Sequence, residues 1–330
     1  PLDNLISIAL DVMSGEKDPH ASVSASIHLL SKRDDIHLHL IGNQERIEHF
    51  LPNKINDKIT IHHTDEVITM EDSPMDVLRR KKNSSMRLAV EMVANNQADA
   101  CVSSGNTGAL LAISKYLLKT IPTISRPALV KSIPTIKSFT YMLDLGANSN
   151  CSAEQLMQFA MMGSVIAKEI KGIDIPKIAL LNIGHERIKG HEVIKEAANL
   201  LEESKLNYIG FIEGNNIVQD IADVVVTDGF TGNIAVKTME GTINMLLAFM
   251  NESFQSNSYN KVASFISKPA INQLNSRIDP RRFNGGLLLG LNGIVVKSHG
   301  ASDSFSFYHA LQTTLDEVEK NIVSKLISAF

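Results

Sequence analysis

Residues 98–110 read ADACVSSGNTGAL, and residues 222–234 read ADVVVTDGFTGNI. In register they share Ala-Asp-x-x-Val-(Ser/Thr)-x-Gly-x-Thr-Gly-x-(Leu/Ile), 124 positions apart. Each is a short apolar run, then a Gly-rich polar turn, then a helical pattern. That unit is a strand, a loop sized for phosphate, and a helix N-terminus whose unpaired N–H groups favour an anion. Two copies predict a pocket that grips a small anion between related halves of one sheet, with the two turns facing each other across it.

Outward from these copies, short apolar runs alternate with amphipathic stretches. Strands are expected at 6–10, 37–41, 59–62, 100–103, 141–145, 177–182, 208–212, 224–227 and 294–297, with helices such as 84–95, 153–170 and 191–201 between them. This alternation indicates βαβ units. The expected fold is a Rossmann-like three-layer αβα arrangement on a mainly parallel sheet, forming a single α/β domain over residues 1–330. Polar and Gly residues gather at strand ends: Asp11 with Ser14-Gly15, then 103–108, 144–148, 182–184 and 228–233. Ligands of open α/β sheets bind beyond such ends. Backbone geometry alone explains any single turn; five, two of them matching, point to a site.

One region breaks the alternation. A long helical pattern runs from 232 to about 254, a polar break follows at 255–260, and two further helical pieces are separated by Pro269 and ended by Pro280. The reading is a protruding helical excursion, about 244–282, with proline at each joint. Its residues Val262, Phe265, Ile266, Ile271, Leu274 and Ile278 form an apolar stripe. Burial in the core or a dimer interface is the favoured role. Contact with a membrane surface is the sharper alternative, because Lys261, Lys268, Arg277, Arg281 and Arg282 flank the stripe.

The bulk numbers exclude several classes. A net charge of −4 disfavours a global nucleic-acid binder, so an anion site must be local. Two cysteines, Cys101 and Cys151, support neither a disulfide framework nor a structural zinc site, and a reducing cytoplasm fits them. The stretch PLDNLISIALD has no basic leader and reads as a first strand. No apolar run approaches the ~20 residues that span a bilayer.

Several residues can carry chemistry. In the first turn, Gly105 and Gly108 admit close backbone approach, and Ser104, Asn106 and Thr107 add donors. The second turn offers Asp228, Gly229, Thr231, Gly232 and Asn233, with Asp228 an acceptor that orients a donor or takes a proton. Asp144 and Asn148 belong to a third strand end in the same anion site. The run 79–87 holds five basic residues in nine; Arg79, Arg80, Lys81 and Lys82 either steer an acidic partner or form a solvated face. Asn83, Ser84 and Ser85 cap the next helix beside those cations, making a second anion-favouring spot. Lys297 and His299 follow the last strand. His37 and His39 alternate along a strand and are expected to face solvent; His62 and His63 are expected near a loop, and His185 and His191 flank a polar loop. There is neither GxxxxGK(S/T) nor GxGxxG, which disfavours ATP or NAD bound by the usual devices.

These residues resemble the PlsX-type phosphate acyltransferases of bacterial phospholipid synthesis over nearly the whole chain. The resemblance rests on DEVI at 65–68, RRKKNSSM at 79–86, SGNTGAL at 104–110, LDLGAN at 143–148, LLNIG at 180–184, KG at 189–190, VVVTDGFTGN at 224–233 and GLNGIVVKSHG at 290–300. It implies a fold similar to phosphate acetyltransferases and to isocitrate and isopropylmalate dehydrogenases. It also implies transfer of a fatty acyl group from acyl carrier protein to inorganic phosphate. The acyl phosphate would feed a membrane glycerol-3-phosphate acyltransferase. Further implications are a cytosolic homodimer touching the inner face of the membrane, with no metal or organic cofactor. The chain departs from the family's Asp-Ala-Met-Gly-Gly-Asp opening, having Ser14 and Glu16, and carries Asn150 where Asp is frequent.

The expected mechanism is direct. Phosphate sits on residues 104–108 with help from 83–85 and the basic run. Thr231, Asn233 and backbone N–H groups stabilise the oxyanion, and Lys297 or His299 neutralises the departing thiolate. The rivals are an acyl-CoA:phosphate acyltransferase of the phosphotransacetylase type, a dehydrogenase on the same architecture, and a non-catalytic phosphate-binding scaffold.

Overall fold

The computed structural model of the chain describes residues 5–52 and 57–330; residues 1–4 of the N-terminal stretch lie outside them. The chain runs from β1 (Ile6–Asp11) through α1 (His20–Leu30), β2 (Ile36–Gly42), α2 (Gln44–Glu48) and β3 (Ile59–His63). Helices α3 (Pro74–Arg80) and α4 (Ser85–Ala94) precede β4 (Ala100–Ser103) and α5 (Thr107–Leu118). Next come β5 (Ala128–Pro134), β6 (Phe139–Leu143), α6 (Ala153–Lys171), β7 (Ile178–Leu181), α7 (Glu192–Glu203), β8 (Tyr208–Ile212) and β9 (Val224–Val226). The long helices α8 (Gly229–Gln255) and α9 (Ser258–Ile278) follow, then β10 (Gly286–Leu289), β11 (Ile294–Lys297), α10 (Ser304–Glu319) and α11 (Ile322–Ala329).

All eleven strands form one sheet in the order β3-β2-β1-β4-β11-β10-β5-β6-β9-β7-β8. Helices α1, α6, α7, α10 and α11 cover one face, burying residues such as Phe159 and Phe307. On the other face, α4 and α5 pack over the first half of the sheet and the start of α8 over the second. Helices on both faces explain the unbroken apolar strands Val224–Val226 and Ile178–Leu181.

Two strands, β5 and β10, were not foreseen, and they decide the topology. Each is bounded by Pro or Gly: β5 ends in Pro134, and the four-residue β10 runs into Gly290 at φ 95°. That positive φ is a glycine conformation, and it lets the segment 286–297 double back as two strands instead of one. Strand β10 is antiparallel to both β11 and β5, and β5 is antiparallel to β6. The parallel set β3, β2, β1, β4, β11 therefore runs opposite to the parallel set β6, β9, β7, β8.

Register converts that reversal into a site. Lys297 pairs with Gly286, Leu287 with Val130, and Lys131 with Met142. Ser103 lies beside Lys297 in one set, and Leu143 beside Val226 in the other. The carboxyl ends of both sets thus arrive at the same height, on either side of the β10–β5 pair. Gly286 stands between Lys131 and Lys297, so two ammonium groups share one face with no side chain between them.

The excursion is a pair of long helices. Pro269 lies inside α9 and is not a joint as expected; at an exposed position, solvent serves the carbonyl that its missing N–H leaves free. Pro280 opens a short 3₁₀ turn after α9. No residue of α9 is buried, and Phe265 is 79% exposed, so the stripe does not enter this chain's own core.

His62 lies in its expected strand and His63 extends that strand to the loop at 64, but His37 and His39 are half-buried where they were expected to face solvent. His37, His39 and His62 stack as one cluster. His39 Nδ1 lies 2.9 Å from His62 Nε2, and its Nε2 lies 3.0 Å from Ser7 Oγ. Burial, then the neighbouring His37 and His62, push His39 down to about 4. Because the folded value lies below the ordinary one, the stability is present above pH 6.5 and is lost as pH falls towards 4. Acidification from pH 7 to 5 is expected to cost on the order of 1–2 kcal/mol here, after allowance for partial exposure. Urea unfolding of the protein and of His39→Gln at both pH values measures it; equal losses in the two would remove His39 as the cause.

Candidate active site

The first turn is built on Asp11. Its buried carboxylate accepts from Ser85 Oγ and Ser103 Oγ, each at 2.6 Å, pinning the start of α4 and the end of β4 to the end of β1. Ser84 Oγ donates to the Lys81 carbonyl (2.9 Å), and the Asn83 backbone is held by Glu66 and Thr64. The Ser84 and Ser85 hydroxyls are therefore engaged in holding the fold, whereas Asn83 is held by its backbone and its side chain is exposed. Asn106 caps α5 by accepting from the Ala109 N–H (3.1 Å), while its amide grips the carbonyls of Met70 (3.0 Å) and Asp72 (3.1 Å). Gly105 admits Ser14 and Met86 where a Cβ would collide. Ser14 is not among the positive-φ residues, so serine suits that position. Ser104 is buried with its hydroxyl unpartnered, and Gly108 packs near Pro74. Thr107 is the residue of this turn that lines the cavity described below.

The second turn is built on Asp144. Its buried carboxylate accepts from the N–H groups of Leu129 (2.9 Å), Ala147 (3.0 Å) and Asn148 (2.6 Å) and from Asn148 Nδ2 (2.9 Å). Burial outweighs these bonds and raises its pKa. Asn148 in turn accepts from the Gly229 N–H at 2.8 Å. A Cβ on Gly232 would stand 2.0 Å from the Asp144 carbonyl oxygen, so only glycine lets α8 start this close to the 144–148 loop. Asp228 caps α8, with one oxygen accepting from the Thr231 N–H and the other from Thr231 Oγ1, both at 2.8 Å. Asp228 and Thr231 thus satisfy each other. Asn233, one turn on, packs over Gly146 and faces the cavity.

Thr107 and Asn233 line one cavity of about 190 Å³, so the matching turns do open on a common space. Thr107 brings the α5 N-terminus, the positive end of that helix dipole, to it, whereas α8 reaches it with Asn233, Val236, Lys237 and Glu240, beyond its first turn. Lys131, Lys237 and Lys297 line the same cavity, together with Glu240 and His299. Lys297 Nζ donates to the carbonyls of Ser104 (3.2 Å) and Ser298. Its burial, reinforced by the like charges of Lys237 and Lys131, pushes it down to about 8. Lys237 Nζ lies 3.1 Å from His299 Nε2, and burial followed by that cation lowers the His299 pKa. Burial opposes ionisation of Glu240, but Lys131 (2.9 Å) and Lys237 (3.2 Å) outweigh it and hold the carboxyl below its usual range. Three ammonium groups against one carboxylate, with the α5 N-terminus, form a site for a compact anion.

The fatty acid synthesis protein family matches residues 6–325. The phosphate acyltransferase of Nitrosococcus oceani is 46% identical over 320 residues, 96% of this chain and 94% of that protein. That of Methylococcus capsulatus is 44% identical over 325 residues, covering 98% and 96%. This chain belongs to the fatty acid synthesis protein family. The fold is shared more widely. A phosphotransacetylase from Streptococcus pyogenes superposes with a TM-score of 0.61 at 18% identity, over 96% of this chain and 94% of that one. A putative 4-hydroxythreonine-4-phosphate dehydrogenase from Salmonella typhimurium gives 0.53 at 13% identity, over 95% and 99%.

For this family member, sequence reasoning overlooked Lys131, Lys237 and Glu240. Lys131 sits on unforeseen β5; Lys237 and Glu240 lie three apart on α8, a spacing that puts both on one helix face. The remaining candidates lie elsewhere. Asn182 is occupied by its own loop, donating to the Lys189 carbonyl at 3.1 Å. In the basic run, Arg79, Arg80 and Lys82 are exposed, whereas Lys81 is paired with Asp72 at 2.6 Å. Helix α3, which carries Arg79 and Arg80, packs on α5, so these cations stand beside the helix whose N-terminus opens on the cavity.

Proposed function

We propose that this chain, a single α/β domain working as a homodimer, transfers a fatty acyl group from an acyl carrier protein thioester to inorganic phosphate. The observation that carries the reading is the cavity where Thr107 at the start of α5 and Asn233 of α8 meet Lys131, Lys237 and Lys297. Phosphate binds there with its charge matched by the ammonium groups. A phosphate oxygen attacks the thioester carbonyl carbon and forms the new C–O bond. The Asn233 side-chain amide donates to the resulting oxyanion; one such donor is worth ~3–4 kcal/mol in the transition state. The C–S bond breaks as the oxyanion collapses, and the thiolate takes a proton from Lys297. With a value near 8, Lys297 is charged at neutral pH yet close enough to release that proton.

The acyl phosphate is an activated donor for a membrane glycerol-3-phosphate acyltransferase. No described helix is long and apolar enough to cross a membrane. A peripheral position at the inner face of the membrane, with α9 presenting Val262, Phe265 and Ile266 to lipid or to the second protomer, accounts for their exposure.

Mass detection of acyl phosphate from acyl carrier protein thioester plus phosphate tests the reading. Product from acyl-CoA alone would transfer the assignment to the phosphotransacetylase type, and no product from either would leave a scaffold. Exchanging Arg79, Arg80 and Lys82 together for glutamine is expected to raise KM for the acidic carrier several-fold and to flatten its salt dependence. An unmoved KM would mean that the run is only a solvated face.

A further inference from the structure

Three cavities meet at the Lys131–Glu240 ion pair, since both residues line all of them. One is the polar cavity already described. The second, about 250 Å³, is walled by Ile133, Pro134, Val218, Met239, Ile243 and Phe283. The third, about 460 Å³, carries Asn244, Asn251 and Asn275, and the side-chain oxygen of Asn275 is buried without a partner. A thioester carbon under attack also has three limbs: a hydrocarbon chain, a sulfur-bearing arm and the incoming oxygen. The polar cavity suits the incoming anion. The amide-lined groove suits a polar arm. The mostly apolar pocket beside the reacting centre suits a hydrocarbon.

We propose that the apolar pocket behind Lys131 and Glu240 takes the hydrocarbon chain of the acyl donor, and that Ile243 limits the length it accepts; this rests on the acyl-transfer reading above. Strand β5 leads from Lys131 to Ile133 and Pro134, and α8 leads from Glu240 to Ile243, so both walls run away from the ion pair on the side opposite the polar cavity. A pocket whose walls are mostly apolar gains by exchanging water for an apolar guest. Each methylene added along it improves kcat/KM about fourfold until the wall is reached. The ion pair closes the polar side, holding the carbonyl at the mouth.

The test is kcat/KM for straight-chain acyl thioesters of increasing length at saturating phosphate, for the wild type, Ile243→Phe and Ile243→Ala. The phenylalanine variant is expected to stop gaining at a shorter chain and to lose at least tenfold on the longest donors, with the shortest unaffected. The alanine variant is expected to move the limit to longer chains, a shift that poor folding would not produce. A length profile identical in all three proteins overturns the proposal, as does an equal loss at every length. So does an unchanged profile with an altered sedimentation mass, which would make the pocket part of a subunit interface. Absence of acyl phosphate from any donor with the wild type would instead overturn the acyl-transfer reading itself.

Discussion

Lys297→Met is expected to lower kcat by about 10²–10³ while leaving the fold as stable as before or more so. The two effects have one cause. Burial and the like charges of Lys131 and Lys237 hold the Lys297 ammonium at about 8, below its ordinary value, so the folded state disfavours this charge. A folded value below the unfolded one weakens stability while the group is protonated, so removing the ammonium relieves that cost at pH 7. Catalysis depends on the same charge for phosphate binding and for the proton given to the thiolate. In the wild type, activity should decline as pH rises through about 8. Lys297→Arg, whose guanidinium stays protonated, should retain anion binding but lose proton donation, so phosphate KM changes less than kcat. Stopped-time assays across pH with thermal melts of each variant decide the matter. Full turnover in the methionine variant would remove Lys297 from the mechanism.

Asp144→Ala is expected to cost about 3–5 kcal/mol of stability, the largest effect of any single side chain beneath the site. The carboxylate organises the N–H groups of Leu129, Ala147 and Asn148 in a space with no exposure to water. Its loss leaves buried donors unpaired and frees the loop against which Gly229 and Gly232 seat α8. Asp144→Asn keeps the size and one acceptor and should recover part of the loss. Urea midpoints measure the difference, and phosphate protection against unfolding reports whether Asn233 still reaches the cavity. An alanine variant as stable as the wild type would show that the loop holds itself.

Much of this was legible in the chain. The twin 98–110 and 222–234 segments carry their own evidence: apolar β-branched runs, glycines and N-caps are local signals, and each became a strand, turn and helix. Other residues were visible as polar groups at strand ends, but their employment was not. Ser85, Asn106, Asp228 and Thr231 are typical anion-site residues by type, yet their hydrogen bonds close within the fold. The basic run hides a similar division, since Lys81 alone is tied to Asp72. Composition cannot separate a donor facing a ligand from one facing a carbonyl, because both are chosen for the same chemistry.

Local pattern by itself determined the αβ alternation, the two phosphate-sized turns and the helical excursion, because periodicity and turn chemistry act within a few residues. Tertiary structure alone decided that the halves run in opposite directions and that their carboxyl edges meet at one height. That depends on β5 and β10, which pair with each other across more than 150 positions of the chain and whose register sets Lys131 level with Lys297 across Gly286. Pairing between distant segments is governed by the energy of the whole sheet, which no single stretch of sequence carries.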